Sequence, residues 1–529
     1  MPAVFVKCPW YISCNIAEKK PKNMSVIGEL IKKAIDVTGF IKGEAKPVKE
    51  QELVLRQLLE SAKLTAFGKK YNFTKNLSLA SPLAAFQHAV PVHDYDKMFE
   101  DWWHYLLEGH QNVTWPGGQK YFALSSGTTS NSKYIPVTDD MLEAIRKAGI
   151  KQVLSLKNFE LPGDFFEKQI MMLGSSTKLI KKNDHEEGEI SGISAANIPT
   201  WFRAFYKPGE EIASIKDWDA KLERIVEEAP KWDIGSLSGI PSWVEMMLKA
   251  IVEHYKLKSI HEIWPNLQVY TSGGVAFEPY RQSFEKLLAK PMIYIDTYLA
   301  SEGYLATQTR PGTTSMALNT DNGIFFEFVP FVEENMDDEG RVKQNAKVLA
   351  LADVEENVEY VLLISTVAGA WRYMIGDTVM FTDKEKAEIR ISGRTKHYLN
   401  VVGSQLSVHQ MNQALEHLAE KYGAVIKEFM VAAIHRGDEY IHKWLIGAAI
   451  HPQKQNEFAK DLDAFLAEHN KNYKVARSKA LKDVEVEFFP VSHFYAWSED
   501  KKNLGGQAKI PRVLKEEDFL QVQDYLRKL

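Results

Sequence analysis

At 529 residues the chain exceeds what one ordinary hydrophobic core organises, and the usual size of about 100 to 200 residues per domain predicts two to four units. Hydrophobic residues make up 45% and charged residues 26%, which excludes a disordered or fibrous chain, and a net charge of −5 argues against a dedicated nucleic-acid binder. Cys8 and Cys14 leave the rest of the chain without a thiol, which excludes a disulfide framework, a thiolate metal site or a cysteine nucleophile there and fits a cytoplasmic protein. No apolar run approaches the roughly 18 residues that cross a bilayer, so no membrane partner is expected. The opening stretch MPAVFVKCPWYISC is interrupted by Lys7 and has no basic region before it, unlike a signal peptide. Residues 1–23 read as an N-terminal extension.

Met24 opens a helical pattern in which positions 26, 27, 30, 31, 34 and 35 are apolar, and Leu55, Leu58, Leu59 and Ala62 mark a second helix. Gly68 follows that helical run where a C-cap would sit. Trp102 and Trp103 read as core.

The stretch YFALSSGTTSNSKYIPVT, residues 121–138, is the first with a chemical pattern. A short strand leads into Ser125, Ser126, Gly127, Thr128 and Thr129, and Lys133 follows. Short hydroxyls and a backbone free to curl converge donors on one point, which suits an anion such as phosphate. With one glycine and no Ser or Thr after the lysine it is not the P-loop of nucleotide triphosphatases. A polar turn between two strands is the plainer alternative.

Beyond it, short apolar runs at Gln169–Leu173, Leu267–Tyr270, Met292–Thr297 and Tyr360–Ile364 alternate with helical stretches such as Trp243–Tyr255. That alternation predicts an α/β domain with a substantially parallel sheet, in which ligands bind beyond the carboxyl ends of strands. Three strands run into unusual loops. Gly273, Gly274 and Val275 follow the first, and paired glycines let a planar ligand lie against the backbone. Tyr298, Ser301 and Glu302 follow the second, where a carboxylate beside a phosphate cradle suits Mg2+. The third, RYMIGD, ends in Asp377, an acceptor for ribose hydroxyls or an ion-pair partner of Arg372. After Ser392 the texture changes to a smaller α+β unit with helices at Val408–Tyr422 and Phe458–His469 and strands at Phe429–Ile434, Trp444–Ile450 and Val484–Phe489. Near its end a glycine-flanked loop carries Lys509.

The order SSGTT, TSGG, YLASEG, RYMIGD, GR and a late KIPR resembles the adenylate-forming superfamily of acyl-CoA synthetases, adenylation domains and luciferases. FALSSGTTSNSKYIPVT, YLASEG, RYMIGD and GGQAKIPRVL together resemble the auxin-responsive Gretchen Hagen family of acyl-acid amido synthetases, over about Leu53 to Leu514. The resemblance implies a large adenylate-forming N-terminal α/β domain over residues 24–392 and a smaller, mobile α+β C-terminal domain over residues 393–529. It implies ATP and Mg2+ as cofactors, with a small carboxylic acid and an amino acid or other amine as substrates. No obligate protein partner is implied.

By the same resemblance Ser125, Ser126, Thr128 and Thr129 hold phosphates, with Gly127 allowing the turn and Lys133 adding charge. Gly273, Gly274 and Val275 lie along the adenine, Tyr298 stacks on or flanks it, and Ser301 belongs to the same motif. Glu302 binds Mg2+, Asp377 the ribose, and Arg394 sits near the ribose or phosphate, while Lys509 steadies the charge developed in adenylation. One departure is clear: where plant members carry an Asp and Lys pair after GR, this chain reads Val401, Val402, Gly403, Ser404 and Gln405. Trp201, Trp243 and Met246 are candidate linings of an acid pocket, with core packing as the alternative. An acyl-CoA synthetase or a non-catalytic binder of the nucleotide or acid remains open on the motifs alone.

Overall fold

A computed structural model describes residues 46–125, 133–274, 277–337, 340–395, 406, 408–436, 439–449, 454–470, 473–474, 477, 481–500 and 510–529. The expected helix at residues 26–35 lies outside them, as do Ser126, Gly127, Thr128, Thr129, Val275, residues 401–405 and Lys509.

In chain order the strands are β1 (Tyr121–Ser125), β2 (Lys133–Val137), β3 (Gln169–Leu173), β4 (Ile180–Lys181), β5 (Glu186–Gly188), β6 (Tyr206–Lys207), β7 (Ile234–Gly239), β8 (Val269–Gly273), β9 (Ile293–Ala300), β10 (Gly303–Thr307), β11 (Met316–Leu318), β12 (Ile324–Pro330), β13 (Glu359–Thr366), β14 (Tyr373–Asp383), β15 (Glu388–Arg394), β16 (Glu428–Arg436), β17 (Glu439–Gly447) and β18 (Leu481–Phe489). An eleven-stranded sheet runs β12-β13-β14-β15-β11-β10-β9-β8-β7-β3-β6. From β6 to β9 the pairs are parallel. From β9 to β12 they are antiparallel.

The sheet is therefore parallel in one half only, which corrects the expectation of a substantially parallel sheet. The reason is local. Helices such as Trp218–Glu228 and Pro241–His254 supply the long crossovers that parallel neighbours require, whereas Ser301 and Glu302 close β9 onto β10 in a two-residue turn that permits only an antiparallel pair. β9 is the strand where the two halves meet.

Each half has its own core. The helix Pro241–His254 buries Val244, Met247, Leu248 and Ile251 against Tyr270, Phe277 and Phe284. Each such aliphatic side chain stabilises the fold by about 1.5 to 3 kcal/mol. The helix Pro47–Ala62 buries Val54, Leu55, Leu58, Leu59 and Ala62 at helical spacing, as their periodicity predicts. Gln51 fixes its register. The amide nitrogen donates to the Thr320 and Ile324 carbonyls at 2.9 and 2.8 Å, and the amide oxygen accepts from Phe326 N–H at 2.7 Å. Gly68 is not a C-cap. It lies inside the short helix Ala66–Lys70, where a Cβ would meet the Ala62 carbonyl oxygen at 2.1 Å, and Thr65 caps that helix by accepting from Gly68 N–H at 3.0 Å. Trp102 and Trp103 are core, as expected.

The C-terminal unit is a three-stranded sheet, β16-β17-β18. The helices Val408–Tyr422 and Gln455–His469 cover one face through Leu415, Leu418, Phe458 and Leu462, and Val491–Asp500 and Glu516–Lys528 cover the other through Phe494, Phe519 and Val522. All the elements expected there appear, within a few residues of their expected bounds.

Candidate active site

The site grows from β9 and its neighbours. Because strand side chains alternate, Tyr294, Asp296 and Tyr298 share one face of β9, and Thr297 lies on the other beside Gly273 of β8. Gly273 is needed for this pairing: a Cβ there would come within 2.9 Å of Thr297 Oγ1, whose hydroxyl donates to the Ser272 carbonyl at 2.8 Å. Gly274 then turns the chain with φ +85°, a conformation that favours glycine.

Tyr298 is buried, and its hydroxyl donates to Asp377 Oδ2 at 2.5 Å. Arg394 Nε meets the other oxygen, Oδ1, at 2.7 Å. Asp377 is not in a loop. It sits within β14 and pairs in register with Arg394, the last residue of β15. Burial and the Asp377 charge push the Tyr298 phenol far above its ordinary range, so it stays a donor. The Asp377 carboxylate is buried, but the Arg394 side chain is 45% exposed, so the cluster opens to solvent on its arginine side. The alternative partner, Arg372, points elsewhere. It adopts φ +43° and is held by Glu327 and by the Gln87 and Val90 carbonyls, at 2.8 and 2.6 Å for the last two.

Glu302, in the turn after β9, is buried, and the Tyr373 hydroxyl and its own backbone N–H favour its charged form. Burial pushes its carboxyl up, against the pull of the Lys133 ammonium, and the Asp377 charge pushes the same way as burial. Lys133 opens β2 opposite Ser125, the last residue of β1, so the two ends of the SSGTT loop are paired residues of one hairpin. Its ammonium lies 5.0 Å from the centre of the Tyr95 ring, whose hydroxyl accepts from Tyr134 N–H at 2.9 Å. Lys133, Tyr298, Glu302, Asp377 and Arg394 thus act on one another across one small region, with Ser125 and the glycine pair on adjoining strands. Ser301 shares the turn with Glu302.

Three further residues belong to this region and were not singled out from the sequence. Tyr373 lies inside RYMIGD and Asp296 inside MIYIDT, and a period of two back from Tyr298 would have put Asp296 on its face. Its carboxyl is half-buried without a hydrogen-bond partner among the described residues, and burial raises it to about 6, with Arg281 pulling it down and Glu278 pushing it up. Tyr95, remote in sequence, left no signal. Trp243 packs edge-on against Trp218 with centroids 4.0 Å apart, and Met246 is exposed, so neither supports the acid-pocket reading. Among the described residues no group of three or more His, Cys, Asp and Glu side chains could hold a metal by itself. Glu302 offers one buried carboxylate, the donor a phosphate-bound Mg2+ takes.

Family models for the GH3 family N-terminal, central and C-terminal domains match residues 38–224, 317–394 and 409–518, in that order. The chain belongs to the GH3 family. Curated relatives of this GH3 chain include the indole-3-acetic acid-amido synthetases GH3.4 of Arabidopsis thaliana, 31% identical over 182 residues, and GH3.8 of Oryza sativa subsp. indica, 28% identical over 183 residues. In both cases the matched stretch spans 32% of this chain and only 29% of the relative. The GH3.15 acyl acid amido synthetase has the same fold, with a TM-score of 0.73 at 14% identity over 96% of this chain and 97% of that one. A 2-hydroxyisobutyryl-CoA ligase in its postadenylation state is similar at a TM-score of 0.55 and 13% identity, over 91% and 92% of the two chains. These likenesses establish an adenylate-forming ligase fold with a large N-terminal and a smaller C-terminal part.

Proposed function

We propose that this GH3 protein is an ATP-dependent acyl-acid amido synthetase. It joins a small carboxylic acid to an amine, an amino acid by analogy with its relatives. In the first half-reaction a carboxylate oxygen attacks the α-phosphorus of ATP and pyrophosphate leaves. In the second, the amine attacks the acyl carbon, loses a proton and expels AMP. Neither step needs a nucleophilic side chain; both depend on positioning and on neutralising charge. The observation that carries the reading is the shared carboxylate of Asp377, gripped by buried Tyr298 and half-exposed Arg394 beside Glu302 and Lys133.

In this reading the ribose hydroxyls bind Asp377 from the open, arginine side. Arg394 swings between that carboxylate and the phosphate. Tyr298 flanks the adenine opposite Gly273, Gly274 and Val275, and Asp296 accepts from the purine amino group. Ser125, Ser126, Gly127, Thr128 and Thr129 cradle the phosphates. Lys133 stands by them, and Lys509 joins them from the C-terminal unit. Glu302 and Ser301 face the metal side, with Glu302 as the protein ligand of Mg2+, which when bound would neutralise phosphate charge. A reaction that consumes ATP fits a cytoplasmic location.

The test is acid-dependent exchange of labelled pyrophosphate into ATP across a panel of carboxylic acids, followed by mass spectrometry of products formed with mixed amino acids. Acyl-amino-acid formation without coenzyme A is expected. Strict dependence on coenzyme A would make the protein a thioester ligase, and absence of exchange with every acid would make it a binder.

A further inference from the structure

The C-terminal unit meets the rest of the chain through a buried polar cluster of which the motifs hold only Arg512. Its centre is Glu428, the first residue of β16, which is 3% exposed. The Tyr280 hydroxyl donates to Glu428 Oε1 at 2.7 Å, and Arg512 Nη1 donates to Oε2 at 2.7 Å. Tyr280 belongs to the helix Glu278–Glu285, which begins a few residues after Gly274, whereas Arg512 stands three residues after Lys509.

Both ends of this relay are fixed. Tyr280 is buried among Phe277, Phe284 and Tyr270. Arg512 lies over the Phe429 ring at 4.8 Å, and its segment is bridged to β16: Val431 N–H donates to the Arg512 carbonyl at 2.8 Å and Leu514 N–H to the Val431 carbonyl at 3.0 Å. A second crossing runs alongside. Lys427 reaches Glu245, on the helix Pro241–His254, at 2.8 Å, and its ammonium lies 5.7 Å from the centre of the Tyr280 ring. One buried carboxylate therefore holds both the helix that follows the glycine pair and the chain that follows Lys509. Three residues extend over at most about 10 Å, so fixing Arg512 limits where Lys509 can reach.

We propose that Glu428 is a positioning residue: through Tyr280 and Arg512 it sets the C-terminal unit against the N-terminal body in the arrangement that serves acyl-adenylate formation. The docking rests on geometry; its catalytic consequence rests on the reading given under Proposed function. Tyr280→Phe tests it in the full-length protein, because it removes the Tyr280–Glu428 crossing and leaves the Arg512–Glu428 pair and the Lys427–Glu245 crossing in place. Tyr422→Phe is the control, since it removes a 2.6 Å hydroxyl bond to Asp461 that stays within the C-terminal unit.

Two measurements separate the parts. Hydrogen exchange at the Val431 and Leu514 amides should quicken about tenfold in Tyr280→Phe and stay unchanged in Tyr422→Phe. In wild-type protein with an accepted acid, pyrophosphate exchange should have a kcat about tenfold above that of Tyr280→Phe, with KM for ATP within about twofold. Unchanged amide exchange in Tyr280→Phe overturns the docking role. Amide exchange that quickens with no fall in kcat overturns the catalytic role alone. A wild-type protein that exchanges no pyrophosphate overturns the functional reading, and the amide data then judge the docking by themselves.

Discussion

Two buried carboxylates in this chain are held by the same kinds of partner, and they differ in what closes over them. Asp377 receives the Tyr298 hydroxyl at 2.5 Å and Arg394 at 2.7 Å; Glu428 receives the Tyr280 hydroxyl and Arg512, each at 2.7 Å. In the first cluster all three residues come from one sheet, Asp377 and Arg394 from paired strands and Tyr298 from β9, three strands beyond β15, and the arginine is 45% exposed. In the second the tyrosine comes from the N-terminal body, the other two from the C-terminal unit, and the arginine is 19% exposed. A carboxylate with one open side can exchange its arginine for a ligand. A carboxylate sealed on both sides can only join the parts that bury it.

The sharpest way to break this comparison is to neutralise each acid in turn. Asp377→Asn should lower pyrophosphate exchange about a hundredfold or more, because the ribose loses its charged acceptor, while the half-exposed Arg394 rehydrates and stability changes little. Glu428→Gln should do the reverse in part: it strands Arg512 in a closed seam and should lower unfolding stability by about 3 kcal/mol, read from denaturant titration. If Asp377→Asn unfolds the protein and Glu428→Gln does not, the open and sealed assignments are exchanged.

Acid should expose a second difference between the two parts. Each holds a buried histidine kept neutral: His93, where burial lowers the ring to about 4, and His442 in β17, where burial and Arg477 lower it to about 3. Among the described residues His93 Nε2 and both ring nitrogens of His442 have no hydrogen-bond partner. A pKa depressed by folding contributes stability above the unfolded value of 6.5 that is lost as pH falls through the folded value. Unfolding free energies from urea titration should therefore fall steeply from pH 6.5 towards 4, by up to about 1.4 kcal/mol per pH unit for each histidine. His442→Leu should flatten that slope by one proton's worth and leave the part due to His93. A slope unchanged by this substitution would mean that the C-terminal unit does not unfold together with the body.

Most of the secondary structure was legible because it is local. Helical spacing gave Pro47–Ala62 and Val408–Tyr422, and β-rich apolar runs gave β3, β8, β9 and β13. The TSGG and YLASEG motifs also end adjacent strands. What the sequence could not carry was pairing over long separations. Tyr298 and Asp377 stand 79 residues apart, and Tyr280 and Glu428 stand 148 apart. A hydrogen bond of this kind leaves no periodicity in either segment. For the same reason Arg372 was a natural partner for Asp377 by proximity in sequence, but the left-handed turn at Arg372 sends it to Glu327 instead. The antiparallel half of the sheet was missed because runs such as Tyr360–Ile364, buried on both faces, look alike in either sheet type.

Asp296 sharpens the contrast from within the open cluster. A carboxyl raised by folding makes the protein less stable as pH rises from its unfolded value of 3.8 to its folded value of about 6. Asp296→Asn should therefore raise stability above pH 6, and the gain should fade below pH 4. The same change should raise KM for ATP several-fold, by about 1 kcal/mol, if Asp296 receives the purine amino group. A gain in stability with no change in KM would leave the residue as unrelieved strain in β9 and remove it from the site.

The smallest effect is expected at Tyr95. Its ring lies under the Lys133 ammonium and its hydroxyl receives Tyr134 N–H, so it holds the start of β2 in two ways. Tyr95→Phe keeps the ring and removes the hydroxyl; Tyr95→Leu removes both. A cation over a partly exposed ring is worth about 0.5 to 1 kcal/mol, or roughly a two- to fivefold change in rate. If the ring steadies Lys133 beside the phosphates, Tyr95→Leu should lower kcat for pyrophosphate exchange by that factor, and Tyr95→Phe should recover most of it. Equal losses in both variants would assign the effect to the Tyr134 bond and the register of the hairpin.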